Sequence, residues 1–193
     1  MTEPADRELL DGIRAGRRDA CARLIHEHYA AIYRFLFHLS RDAAEAEDLT
    51  QETFAAAWEK SAAFEGRSAF GTWLHRIAYG KFVDARRAGR RSAALAERLR
   101  AREPAESPSP VESAAQDDEA RRLYAALERV DPADRLILVL HYLQGLSYRE
   151  MADVTGEPVG TIKWRTSVAL DRMRSLLTTE EPHVAWRAGR ERA

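Results

Sequence analysis

At 193 residues, 45% hydrophobic and 32% charged, the chain suits one or two soluble domains that each bury a modest core. Its 30 basic and 31 acidic residues leave a net charge of −1, but the charges are segregated along the chain, so this balance does not argue against a nucleic-acid partner. The single cysteine, Cys21, excludes an internal disulfide and a cysteine-based zinc site, and suits a reducing compartment.

MTEPADRELL lacks the apolar run of a signal peptide. No stretch approaches the roughly 18 consecutive apolar residues of a membrane helix. A cytoplasmic chain without membrane insertion is expected. Apolar spacing is helical almost throughout and strand-like alternation is absent, so the expected fold class is all-α, with two small helical domains joined by a flexible linker.

The first domain spans residues 5–95. It opens with ELLDGIRAG and continues with DACARLIHEHYAAIYRFLFHLS, whose Leu24, Ile25, Ile32, Phe35, Leu36 and Leu39 recur at helical spacing. In AEAEDLTQETFAAAW, Ala46, Leu49, Thr53, Ala57 and Trp58 are assigned to one face, with Phe54 at its edge. The opposite face carries Asp48, Gln51, Glu52 and Ala55. That acidic side fits either a solvated surface or a dock for a basic partner helix.

AFGTWLHRIAYGKFVDARRAGRR interleaves Phe70, Trp73, Tyr79 and Phe82 with His75, Arg76, Lys81, Arg86 and Arg87. Rings on which bases stack, beside cations that hold phosphates, are what unpaired nucleic acid requires. Trp73 and Ile77 also fall at core spacing. The preceding loop, SAAFEGRSA, is small and glycine-containing, as suits a turn that a ligand approaches closely.

Residues 96–118 include EPAESPSPVESAAQDD, too poor in apolar groups to offset the entropy of ordering, and read as a flexible acidic linker. Helical patterning resumes over residues 119–178, before a loose tail at 179–193. Ser147 and Glu150 have the form of a capping box, Gly156 can end that helix, and Pro158 suits the start of the next. Helix, short glycine turn and helix make a helix-turn-helix. In the second helix Ile162, Thr166, Ala169, Met173 and Leu176 should pack inward. Thr161, Trp164, Ser167, Val168 and Asp171 should point outward, flanked by Lys163, Arg165, Arg172 and Arg174. Such a face either reads a DNA groove or is a solvated basic surface.

No phosphate-binding glycine loop, nucleophile elbow or metal-binding histidine pair occurs, and His26 and His28 lie on different helix faces. No catalytic residue, metal or cofactor is expected.

Taken together, AEDLTQETFAAAW, FEGRSAFGTWLHRIA followed by DARR, and RLILVLHYLQGLSYREMADVTGEPVGTIKWRTSVALDRMRSLL resemble, in order, the core-binding helix, the −10-melting segment and region 4 of bacterial RNA polymerase sigma factors of the extracytoplasmic function (ECF) group. The resemblance covers residues 5–178 and implies a dissociable specificity subunit without catalysis of its own. It implies region 2 over 5–95 and region 4 over 119–178. Asp48, Gln51, Glu52 and Phe54 would meet the clamp helices of the polymerase largest subunit, and region 4 the flap of the second-largest subunit.

For −10 promoter DNA the resemblance implies Phe64, Gly66, Arg67, Ser68, Arg76, Tyr79, Lys81, Arg86 and Arg87, with the 61–69 loop pocketing a flipped base. For the −35 duplex it implies Thr161, Lys163, Trp164, Arg165, Ser167, Val168 and Arg172. An anti-sigma factor is a further expected partner. Gly80, Trp164 and Val168 depart from the residues common in the family at those positions, so promoter specificity does not transfer from its relatives. The competing reading is a stand-alone helix-turn-helix regulator.

Overall fold

A computed structural model describes residues 11–12, 17–97 and 118–179, and every regular element in them is helical. Most of the opening helix expected in ELLDGIRAG (all but residues 11–12, which are helical), most of the linker (98–117) and the tail from residue 180 lie outside the described residues.

Helix α1 (Arg18–Ser40) buries Leu24, Ile32, Phe35, Leu36 and Leu39, as their spacing predicts. It ends at Arg41, whose φ of +62° turns the chain, and Asp42 caps α2 (Ala43–Lys60) by accepting the Glu45 N–H at 2.9 Å. This two-residue connection folds α2 back along α1. The buried side of α2 is made of small residues, Ala46, Thr50, Thr53, Ala56 and Ala57, with Leu49, which lets its neighbours approach closely. The Thr50 and Thr53 hydroxyls donate to the carbonyls of Ala46 at 2.6 Å and Leu49 at 2.7 Å, so they can be buried without an unsatisfied donor. A 3₁₀ turn (Ser61–Ala63) and an irregular loop lead to α3 (Phe70–Glu97), which adds Phe70, Leu74 and Ala78 to the core.

The second unit begins with α4 (Asp118–Arg129), which buries Ala126 and Leu127, and α5 (Pro132–Leu138), capped by Asp131 with Pro132 in the first turn. The buried run Leu136–Leu140 passes into a π-type turn (Val139–Leu143). Arg135 is buried, in the field of the Glu128 and Asp131 carboxylates. Its guanidinium donates to the carbonyls of Leu127, Glu128 and Val130 at 2.7–3.2 Å, satisfying the C-terminus of α4.

Helix α6 (Tyr148–Thr155) starts with the expected Ser147–Glu150 capping box and ends at Gly156, φ +76°. Helix α7 (Val159–Thr179) buries Ile162, Thr166, Ala169 and Met173 against α5 and α6, with Leu176 half-buried. Pro158 stands immediately before α7, its carbonyl accepting the Ile162 N–H at 3.1 Å.

The two units are not merely tethered. Helix α3 packs on α6, and α1 on α5. Thr72 donates to Glu150 at 3.0 Å, the Nε2 side of His75 meets the Gln144 side chain at 3.3 Å, Arg41 pairs with Glu128 at 3.2 Å, and His38 stacks on Tyr124 with centroids 5.5 Å apart.

Candidate nucleic-acid and polymerase interfaces

The acidic side of α2 is open: Asp48, Gln51, Glu52 and Ala55 are exposed. Trp58, assigned from sequence to the packed face, is instead 46% exposed. At about 100° per residue it falls beside Gln51, far from the Leu49–Thr53–Ala57 side, so the indole belongs to the acidic face. Phe54 lies at the edge of the packed face, where its spacing puts it. It is half-buried, stacked on Tyr29 at 6.0 Å, and stiffens the helix pair from inside the face's edge. Below the face, Glu47 accepts the Tyr29 hydroxyl at 2.6 Å and the Gln51 amide at 3.0 Å. These hydrogen bonds hold the Glu47 carboxyl below its ordinary range. Burial, with the bond to Glu47, pushes Tyr29 up to about 12.

A cavity of about 390 Å³ opens between the loop before α3 and α3 itself, lined by Phe64, Arg67, Ser68, Thr72, Trp73 and Arg76 among others. That volume lies within the range of small-ligand clefts. Phe64 reaches it only as its floor. The side chain is buried, with its ring centroid 5.5 Å from Phe70 and 5.0 Å from Trp73, so it shapes the cavity rather than offering a stacking face. Gly66 has φ +72°, a conformation open to glycine at little cost, and the turn there exposes Arg67, which pairs with Glu65 at 3.0 Å. Arg76 stands exposed at the rim and Tyr79 is half-buried, its hydroxyl pushed up by desolvation.

Lys81 and Arg86, expected from sequence to follow a DNA backbone, are tied to α2. Lys81 pairs with Glu52 at 3.1 Å, and Arg86 with Glu45 at 3.0 Å and the Ser40 carbonyl at 3.1 Å. Arg86 also lies over the Phe82 ring. These are exposed or half-exposed pairs, worth at most about 1 kcal/mol each, so a phosphate could exchange for the carboxylate. Arg87 is exposed, near Asp84 at 3.8 Å.

On α7, Thr161, Lys163, Trp164 and Ser167 share an exposed face, and the Trp164 indole is 65% exposed. Arg165 does not join them. Its side chain is 16% exposed, bonded to Glu157 across the turn and to the Ala133 carbonyl at 2.7 Å. In the structure Arg165 braces the turn of the helix-turn-helix against α5. Arg172 is exposed but paired with the buried Asp134, and Val168 is half-buried, at the margin of the face.

Sequence spacing missed Trp58, Thr72, Gln144, Glu150 and Asp153 as contact residues, and it counted His75 among the cations where the structure buries it against Gln144. Of the missed residues Trp58 carried a local signal in its angle around α2, and Glu150 in its capping box. Among the described residues, no cluster of three or more His, Cys, Asp or Glu could hold a metal, and no helix is long and apolar enough to cross a membrane.

Two helical units, one with an aromatic-floored cavity beside cations and one with an open helix-turn-helix face, have the form of a nucleic-acid-binding protein. Residues 24–92 match the family described as Sigma-70 region 2, and residues 120–173 match Sigma-70, region 4. The ECF RNA polymerase sigma factor RpoE of Cereibacter sphaeroides is 32% identical over 187 residues, covering 90% of this chain and 98% of that protein. The ECF RNA polymerase sigma factor SigE of Mycolicibacterium smegmatis is 35% identical over 164 residues, 84% of this chain but 63% of that longer protein. Among solved structures, the sigma factor RpoE in complex with the anti-sigma factor NepR from Bartonella quintana superposes with a TM-score of 0.69 at 27% identity, covering 82% of this chain and 97% of that one. The chain belongs to the ECF group of sigma-70 family RNA polymerase sigma factors.

Proposed function

We propose that the protein binds RNA polymerase core and directs promoter-specific initiation of transcription, with region 2 over residues 5–95, a linker over 96–118 and region 4 over 119–178. The acidic face of α2 (Asp48, Gln51, Glu52), extended by Trp58, docks on the clamp helices of the largest subunit. The cavity and cationic side of α3 take the unpaired −10 strand, with Arg67, Ser68 and Arg76 at its rim and Trp73 within. The exposed face of α7 reads the −35 duplex through Thr161, Lys163, Trp164 and Ser167, while region 4 meets the flap of the second-largest subunit. Lys and Arg beside base-reading side chains supply the phosphate contacts that set register.

The carrying observation is that matches to both sigma regions occur in order within one chain, each over a unit with an open, chemically suitable face. The protein carries no active site in this reading; the chemistry is the polymerase's, and the site of action is the cytoplasm. A sigma factor solved with an anti-sigma factor bound supports an inhibitor of that class as a further partner.

In-vitro transcription with core polymerase on a promoter library tests the proposal. Initiation from a shared pair of elements is expected, and failure to direct initiation anywhere would overturn it. A stand-alone regulator would instead footprint its operator without polymerase.

A further inference from the structure

The arginines that flank the open face of α7 are already committed. Arg165 bonds Glu157 and the Ala133 carbonyl at 2.7 Å, and Arg172 pairs with Asp134, whose side chain is 9% exposed. Withdrawing either would strand a largely buried carboxylate, so neither guanidinium is at hand to fork onto a guanine edge. Arg174, paired with Asp171 at 3.2 Å, stands about 15 Å further along the helix than Trp164.

What the face offers instead is apolar. Trp164 is 65% exposed, and its helical neighbours three and four residues away are Gly160, Thr161, Ser167 and Val168. All are small, so the indole stands above them. Helical side chains lean toward the N-terminus of their helix, and there Gly160 leaves room: a Cβ built on it would meet nothing within 4 Å. Half-buried Val168, about 40° round the helix, and the Thr161 methyl continue the same strip. Lys163 is exposed about 100° to one side, where its ammonium suits a phosphate at the edge of the groove. An indole has a single N–H donor and no acceptor, so it cannot answer the exocyclic amines of adenine or cytosine. Among the bases only thymine presents an apolar group in the major groove, its C5 methyl.

We propose that Trp164 selects an A·T pair in the −35 element by packing its indole on the thymine methyl, and that this contact replaces an arginine–guanine fork as the main source of specificity on the face. The proposal rests on the reading of α7 as the −35 helix.

Holoenzyme, reconstituted from core polymerase and the full chain, tests this on a promoter found by transcription from a library. Each thymine of the −35 element, on either strand, is replaced singly by deoxyuridine, which removes the methyl and keeps every hydrogen-bonding group. Binding is measured in competition with the unmodified fragment. At one or two positions deoxyuridine should weaken binding about threefold, the worth of one buried methyl group. Trp164→Ser should weaken binding of the unmodified promoter and abolish the difference between thymine and deoxyuridine. Trp164→Phe, which keeps an apolar ring, should retain part of that difference. Both variants should capture core as the wild type does, because the exposed indole lies on α7 and not on the docking face of α2. No position sensitive to the methyl, a −35 element made only of G·C pairs, or a deoxyuridine penalty that Trp164→Ser leaves intact overturns the proposal while the sigma reading stands. Failure of the wild-type holoenzyme to initiate on any promoter takes down that reading and the thymine contact with it.

Discussion

Arg165→Ala separates a brace from a base reader. In the structure the guanidinium bonds Glu157 and the Ala133 carbonyl, and the remaining Glu157 oxygen, Oε2, is buried without a hydrogen-bond partner. Removing the arginine leaves that carboxylate uncompensated. Breaking a fully buried pair costs about 3–5 kcal/mol and an exposed one at most about 1. With side chains 16% and 34% exposed this pair lies between, so we expect about 2 kcal/mol. For a protein of this size that corresponds to a Tm lower by about 4–8 °C. Differential scanning calorimetry of the full chain measures it. Adding Glu157→Gln to the variant removes the unpaired charge and should restore part of the loss, whereas Glu157→Gln alone should destabilise. A Tm within about 1 °C of wild type, coupled to weaker −35 binding, would show that Arg165 reaches DNA and that the brace is wrong.

Trp164→Ala should leave Tm unchanged, since the indole is 65% exposed, yet weaken −35 duplex binding by gel shift; a lower Tm with unchanged affinity would make the residue structural. Asp48→Lys should weaken capture by core polymerase about tenfold or more by placing a like charge on a basic surface, with −35 affinity unaltered; equal loss of both would remove the acidic face from the docking surface. His38 is held neutral, down to about 4, first by burial and then by Arg135 and Arg34. An unfolded histidine near 6.5 takes up a proton more readily than this one, so its contribution to stability is present above pH 6.5 and declines as pH falls toward 4. His75, also pushed down by burial, adds in the same direction. Thermal denaturation across pH 7.5 to 4.5 should show Tm falling, and His38→Gln should flatten that profile; parallel profiles would contradict the burial of a neutral ring.

Several features of the chain were legible from spacing alone. Helical periodicity placed Leu24, Ile32, Phe35 and Leu36 of α1 and Ile162, Thr166, Ala169 and Met173 of α7 on their buried sides, because 3.6 residues per turn set which side chains share a face whatever lies opposite. Ser147, Glu150 and Gly156 marked the ends of α6 because caps and positive φ satisfy groups only a few residues away. The open acidic face of α2 and the exposed Trp164 were likewise present in the residue pattern.

What those short-range rules did not reach was settled by packing. Trp58 is the exception: its angle around α2 already places it beside Gln51, so its exposure was readable from spacing and the assignment to the packed face was a misreading. Arg165 was drawn inward by Glu157 and by a carbonyl 32 residues away, and Lys81 by Glu52, 29 residues away. Thr72 found Glu150 across 78 residues. A face can be read from local spacing, because it depends on one helix; a partner cannot, because it depends on how helices cross. The sequence by itself therefore determined an all-helical chain with a helix-turn-helix and a cationic, aromatic segment. Only the tertiary structure decided which of those cations are committed to carboxylates and that α6 packs on α3, with Thr72 bonded to Glu150.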